Sequence, residues 1–452
     1  MKRVGIEKIF AYPCTLSLDM VALAEARGVS PAHPIDELWV EERAINPVWE
    51  DPVTMAVNAA RGLLEGEDPS QIEMIVVGTE SSVDYGKPIS TWVQRFSGAG
   101  ANCRNFETKH ACYGGTAGLM MAAHWVASGH NRGKKALVVT SDQSRAHLGK
   151  PWEYVLGAGA VAMLISDTPD VLELELDRTG FWTQEIFDTY RPTSRHEVGH
   201  ADTSLFGYLE ALEGAAEHFM EVAGEPDYES FVRHIYHVPF GAMTYRAHRA
   251  VVRRWQPSLG KREIQGHFER KSKAGLKYNR RFGGSYTSAT FLAMMGTISA
   301  GGSEISPGDR MTVFSYGSGS CAEFYPVRVG ERAAKARRSS PKTSTEKAKE
   351  RASARSRWPS AQAKAATTRA VLRRPTRAIP AHSRRPRIGS SGARGGASIT
   401  SASAGSITSA RAGSASVTRL IQRIWRGRKG SGRPTIAAVS ITPSSPALPE
   451  RR

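Results

Sequence analysis

Six short apolar runs punctuate the first 330 residues: "IEMIVVG" (72–78), "KALVVTS" (135–141), "AVAMLIS" (160–166), "VLELEL" (171–176), "HIYHVPF" (234–240) and "MTVFSYG" (311–317). Their length and β-branched content are those of buried strands. Between them lie helix-like segments. Residues 52–65 open with proline after aspartate, a favoured helix start, and residues 203–222 carry apolar side chains at three- and four-residue spacing. Strands that alternate with helices specify an α/β protein with buried sheets.

Charge divides the chain in two. Of its 61 Lys and Arg and 43 Asp and Glu, residues 331–452 hold 28 basic and 4 acidic side chains, giving this tail +24 and leaving −6 on residues 1–330. The body is long enough to bury one full core or two fused ones. The tail has Trp358 and Trp425 but no Phe, Tyr, Asp, Asn, Cys or Met, and lacks sustained periodicity. Such a low-complexity segment buries too little apolar surface to order itself. Three readings fit it: a nucleic-acid-binding arm, a solvated tail without a partner, or translation of a GC-rich gene in the wrong frame from near residues 330–340. Resequencing the gene separates the third from the others.

Four cysteines, Cys14, Cys103, Cys112 and Cys321, show neither C-x-x-C pairing nor metal-ligand spacing. No disulfide framework and no metal site is expected. No secretory h-region and no long apolar span occurs, so the expected location is cytoplasmic, without a membrane anchor.

The stretch "NFETKHACYGGTAGLMMAAHWVASGH" (105–130) places Cys112 between a strand-like run and a long helix. A helix N-terminus favours thiolate, lowering thiol pKa values at such sites to roughly 3.5–7.5. Gly114 and Gly115 would let an acyl group approach the backbone. A buried core cysteine is the competing reading. Glu80, in "VVGTESSVD", and His237, in "IYHVPFGAM", each lie at the end of an apolar run, where α/β folds hold functional groups. Thiol, carboxylate and imidazole together form a set suited to acyl transfer.

Eight stretches, "GTESSVD", "ETKHACYGGTAGLMMA", "GAGAVAMLI", "DTYRPTS", "YLEALEGA", "YHVPFGAM", "YNRRFGGSYTSA" and "VFSYGSG", resemble in order and spacing the 3-hydroxy-3-methylglutaryl-CoA synthase family of the thiolase superfamily, over residues 3–328. The resemblance implies a thiolase-like, five-layered αβαβα fold of two similar halves, residues 1–170 with Glu80 and Cys112 and residues 171–330 with His237, and a homodimer. It implies Cys112 as the nucleophile that takes an acetyl group, Glu80 as the general acid/base at the acetyl methyl, and His237 as the group that positions the acceptor and donates a proton to it. The backbone N–H of Cys112 and the Gly317-Ser318-Gly319 turn resemble the oxyanion site, with Tyr286 beside the substrate.

Two departures stand out. Gly284 replaces the family's usual Asn, so that a proton-donor network around His237 would have to be rebuilt from Ser285 or Tyr286. Tyr154-Val155 replaces a common Pro-Thr. Several stretches, "KHACYGGTAGLMMAA" among them, look more like the 3-hydroxy-3-methylglutaryl-ACP synthases of bacterial polyketide pathways than the mevalonate-pathway enzyme, which is the alternative. That branch implies an acetyl-loaded donor carrier protein, a β-ketoacyl acceptor carrier protein, and no cofactor beyond the phosphopantetheine that delivers the acyl groups. Carrier proteins are acidic, and Arg246, Arg249, Arg253 and Arg254 at helical spacing are candidates for docking them.

Overall fold

The computed structural model describes residues 2–333 apart from 145–147, 194–195, 225 and 302–303. The basic tail, beyond its first three residues, and the question of its reading frame lie outside the described residues.

The chain opens with β1 (Gly5–Tyr12) and a small antiparallel ribbon of β2 (Leu16–Asp19) and β3 (Glu42–Ile45), with α1 (Met20–Ala26) between the ribbon's strands. Next comes α2 (Pro52–Leu63), where the expected start is present as a capping box: the Asp51 side chain accepts from Thr54 N–H, and the Asp51 N–H donates to Thr54 Oγ1. The sequence continues through β4 (Ile72–Gly78), α3 (Ser90–Ser97), β5 (Arg104–Thr108), α4 (Gly114–Ala127), β6 (Lys135–Gln143) and β7 (Ala158–Ser166). Short strands β8 (Leu172–Leu174) and β9 (Gly180–Thr183) lead to a hairpin of β10 (Thr189–Thr193) and β11 (His196–Gly199), then to α5 (Ala201–Ala223) and β12 (Arg233–Tyr236). Four helices follow, α6 (Gly241–Trp255), α7 (Lys261–Lys271), α8 (Leu276–Phe282) and α9 (Ala289–Ala300), before the closing hairpin of β13 (Arg310–Gly317) and β14 (Cys321–Val329).

Three apolar cores define five layers. One packs α2 and α3 on the outer face of β4, β6 and β7. A second packs α5 and α6 on the outer face of β12, β13 and β14. The third lies between the sheets and contains α4 and α9, which are buried nearly all round. A helix apolar on every side belongs in such a central layer.

The strand order is β5-β4-β6-β7-β1-β8-β14-β13-β12. The two sheets of the expected halves are therefore continuous at one edge: β1 pairs with β8 at Gly5 and Ile6, and β8 continues onto β14. Two expected strands are shorter than their apolar runs. β12 ends at Tyr236, whose partner Phe314 closes the ladder, and Pro239 just beyond lacks an N–H to extend it. β8 keeps only Leu172–Leu174 of its run.

Close approach of α4 to β4 sets the position of everything at the sheet's end. A Cβ on Gly78 would lie 2.6 Å from Gly115 Cα, and one on Gly115 would lie 2.5 Å from Thr140 Cγ2. Only glycine at both positions allows this backbone contact.

Candidate active site

Cys112 lies in the turn between β5 and α4, two residues ahead of the helix. Ala111 before it has φ of 41°, a left-handed conformation that is strained for alanine and turns the thiol away from the strand direction. The turn is tied down by Tyr113 N–H to His110 O at 3.0 Å and by the Thr108 hydroxyl to Gly114 O at 2.7 Å. Glu80 follows the end of β4, its N–H donating to Asp142 Oδ1 at 2.9 Å. The Cys112 thiol donates to Glu80 Oε1 at 3.4 Å. His237 follows β12, with the Tyr208 hydroxyl donating to its carbonyl at 2.8 Å and its Nδ1 3.1 Å from Thr290 Oγ1.

All three side chains line one cavity of about 450 Å3. Val155, Leu156, Trp152, Phe240 and Leu38 pack around Cys112 and Tyr286 as an apolar wall. The cavity thus combines a few polar groups with a dry lining, the usual makeup of a site for a small acyl substrate.

The electrostatics correct one expectation. Burial, followed by the neighbouring Glu80 and Asp142 carboxylates, pushes the Cys112 thiol well up, so no thiolate is stabilised at rest. The helix begins two residues beyond Cys112, and burial of the thiol disfavours its charged form. Burial also pushes Glu80 up, with Asp142 and Glu197 adding to the shift and Arg191 opposing it. The resting pair is a thiol beside a carboxyl whose ionisation burial disfavours, so Glu80 must shed its own proton before it can take that of Cys112. Burial pushes His237 down to about 3, so its imidazole is neutral at physiological pH and can act as an N–H donor.

The turn after β13 is only partly as expected. Ser318 lines the cavity, and Gly317 packs against His110 and Tyr113 so closely that a Cβ would lie 2.3 Å from His110 O. The Gly319 N–H is already used, donating to Asp188 Oδ1 at 2.9 Å, and so is not available to an oxyanion. Asp188 also accepts from Tyr316 OH at 2.9 Å and thereby holds the turn.

Tyr286 lines the cavity and donates to Glu197 Oε2 at 3.2 Å. Ser285 is fully buried and is not among the lining residues, so it does not rebuild a donor network at His237. Gly284 exchanges backbone hydrogen bonds with the segment before β7, its N–H donating to Val155 O at 2.6 Å and its carbonyl accepting from Gly157 N–H at 2.8 Å. Val155 faces the cavity, whereas Tyr154 is buried against Met20, Leu23 and Val40 of another cluster.

Arg246 stands at the rim of this cavity, and with Arg249 it also lines a neighbouring groove with Trp39, Phe206 and Leu209. Arg253 is exposed farther along α6, and Arg254 departs from this stripe to pair with Glu217 at 2.9 Å. Arg254 is therefore satisfied within the fold.

Glu197 lines the cavity, and Asp142 and Arg191 stand behind Glu80 on its backbone; the local sequence marks none of the three. Asp142 sits at the end of β6, the same strand-end position that marks Glu80. Arg191 and Glu197 lie on the β10–β11 hairpin, and nothing in the local sequence shows that this hairpin folds over β4. Among the described residues no group of three His, Cys, Asp or Glu is arranged to hold a metal ion, and no helix is long and apolar enough to cross a membrane.

A five-layered α/β fold with a thiol, a carboxyl and an imidazole around one acyl-sized cavity defines the class as a condensing enzyme of the acyl-transferring, carbon–carbon bond-forming type. Residues 1–170 match the sequence profile described as "Hydroxymethylglutaryl-coenzyme A synthase N terminal", and residues 261–370 match the corresponding C-terminal profile. The chain belongs to the hydroxymethylglutaryl-coenzyme A synthase family. It is 37% identical over 339 residues to the polyketide biosynthesis 3-hydroxy-3-methylglutaryl-ACP synthase PksG of Bacillus subtilis, covering 72% of this chain and 80% of that one. It is 35% identical over 324 residues to the hydroxymethylglutaryl-CoA synthase of Enterococcus faecalis, covering 71% and 82%. Among solved structures, the HMG synthase of the curacin biosynthetic pathway in complex with holo donor-ACP matches with a TM-score of 0.73 and 39% identity, over 76% of this chain and 85% of that one.

Proposed function

We propose that the protein is a 3-hydroxy-3-methylglutaryl-ACP synthase of polyketide biosynthesis, adding an acetyl unit to the β-keto group of an acyl chain carried on a carrier protein. The observation that carries this reading is the Cys112–Glu80 contact of 3.4 Å in the same cavity as His237.

In the first step the Cys112 sulfur attacks the acetyl thioester of a donor carrier protein, its proton passing to Glu80 and on to the departing phosphopantetheine thiolate, which leaves as free thiol. Glu80 then removes a proton from the acetyl methyl group. The resulting enolate carbon adds to the β-keto carbon of the acceptor, and the keto oxygen takes a proton through the N–H of His237. Charge on the thioester oxygen is met by the backbone around Cys112 and Ser318, in the position of an oxyanion site. Water finally cleaves the enzyme thioester, regenerating the thiol and leaving the new branch as a carboxylate. No cofactor of the enzyme's own is required, because the acyl groups arrive already activated as thioesters.

Acyl carrier proteins are the proposed partners. Arg246 and Arg249 beside exposed Phe206 at the cavity rim offer a cationic and apolar surface for an acidic carrier. A homodimer is proposed as well, with β5 at the end of the sheet order as the strand available for pairing. All four cysteines are free thiols, which accords with a reducing, cytoplasmic setting.

Intact-protein mass spectrometry after mixing with acetyl-ACP or acetyl-CoA tests the proposal. The expected result is acetylation from acetyl-ACP that disappears in Cys112→Ala. Equal labelling from acetyl-CoA would favour the mevalonate-pathway alternative, and labelling that survives the substitution would remove Cys112 from the mechanism.

A further inference from the structure

Glu80 stands in unusual company. It faces Cys112 from the turn before α4, Asp142 from β6, Arg191 from β10, Glu197 from β11 and Tyr286 from the turn before α9, with His237 and Tyr316 lining the same cavity. Three carboxyl groups therefore crowd a single guanidinium. The Arg191 side chain is 11% exposed and that of Glu197 is 8% exposed. Like charges so placed oppose one another's ionisation, and a buried carboxylate persists only with a compensating partner.

The contacts of Arg191 are arranged around Glu80 rather than on its carboxylate. Its Nη1 donates to the Glu80 carbonyl and to Ser81 Oγ, both at 2.9 Å. Its Nη2 pairs with Glu197 Oε2 at 3.1 Å. Its plane lies over the Tyr286 ring at 4.6 Å, and the Tyr286 hydroxyl closes the circuit on Glu197. The Glu80 carboxylate is left to contact Cys112, as a base must be, while the cation that balances it is fixed from behind.

We infer that Arg191 is a positioning residue for the proposed base: held on the β10–β11 hairpin, it fixes the Glu80 backbone and offsets the two carboxyl groups around it, so that Glu80 can ionise despite its burial. The inference rests on the reading of Glu80 as the base. It adds that the hairpin, whose sequence lies more than a hundred residues away, sets the pH range in which that base works. Glu197 has the opposite effect, since its charge competes with Glu80 for the same cation.

The test follows single-turnover condensation of the acetylated enzyme with an acetoacetyl thioester by mass spectrometry, against pH. Arg191→Met should move the acidic limb of the rate profile upward by about 1–3 pH units, the usual effect of one opposite charge on a carboxylate. Arg191→Lys, which keeps the charge, should restore most of that shift, and Glu197→Gln should move the limb downward. A folded Arg191→Met enzyme with an unmoved limb overturns the inference. If Arg191→Met does not fold, as judged by thermal unfolding, Glu197→Gln decides alone, and an unmoved or raised limb there overturns it. Glu80→Gln separates the two layers of argument: condensation that survives in this variant refutes the base itself, whereas its loss together with an unmoved Arg191→Met limb refutes only the role of Arg191.

Discussion

Gly284 shows how a single residue reshapes a site. A Cβ there would lie 2.5 Å from Pro239 O and 3.0 Å from Val155 O, both backbone atoms that cannot swing aside. The family's usual Asn has no room in this chain, because the segment carrying Val155 has closed onto Gly284 through two hydrogen bonds. Restoring the amide by Gly284→Asn should therefore destabilise the protein by about 1–3 kcal/mol, the usual cost of overpacking, and should not raise activity. Thermal unfolding and the condensation rate measure this, and a variant of unchanged stability and higher rate would contradict it. The same scale explains which site residues were legible. Cys112, Glu80 and His237 each lie beside an apolar run that reads as a strand or a helix, so their placement follows from local pattern. The protonation of Cys112 does not, because it depends on burial and on Glu80 and Asp142, which reach the thiol from two other strands.

At the scale of elements, the turn into α4 carries the thiol, and the seat of that helix on β4 is made by two glycines. Gly115→Ala would place a methyl group 2.5 Å from Thr140 Cγ2 and 2.8 Å from Phe291 Cε2. The helix must then lift from the sheet, taking Cys112 away from Glu80. Acetylation of Cys112 is expected to fall at least tenfold, and misplacements of about 1 Å are known to cost a hundredfold in such sites. Rapid-quench mass spectrometry reads this directly, and unaltered acetylation would show that the helix position is not critical. The elements themselves were largely readable. α2 starts where proline follows aspartate, and the run at 135–141 lies within β6. The ends of β8 and β12 were not, since each ladder ends partway along a partner, β14 or β13, that comes from a distant part of the chain.

For the whole molecule, buried ionisable groups set the dependence of stability on pH. Burial lowers His234 and His267 from the ordinary value of 6.5, and lowers His237 and His248 to about 3. It raises Glu80 and Asp142, and raises Glu323 to about 7. As pH falls below 6.5 the unfolded chain binds protons on these histidines and the folded chain does not, which reduces stability. Above the ordinary glutamate value of 4.5 the folded chain holds carboxyl protons that the unfolded chain has lost, which works in the opposite direction. The two contributions oppose each other between pH 4.5 and 6.5, and below 4.5 the histidine loss is joined by that of Glu153 and Glu229, whose carboxylates the fold holds below their ordinary value. Denaturant unfolding should show a shallow slope across that window and a steep fall below it. A steep fall beginning at 6.5 would mean that the buried carboxyls are ionised in the fold.

The sequence by itself determined the alternation of strands and helices, the family, and the three side chains around which the chemistry is proposed, because all of these are written in short runs of neighbouring residues. Tertiary structure alone decided that the two sheets join through β8, that Gly319 N–H is taken by Asp188, and that Arg191 stands behind Glu80. Each of these depends on segments far apart in the chain meeting in a water-poor interior, where one hydrogen bond or one charge outweighs any local preference.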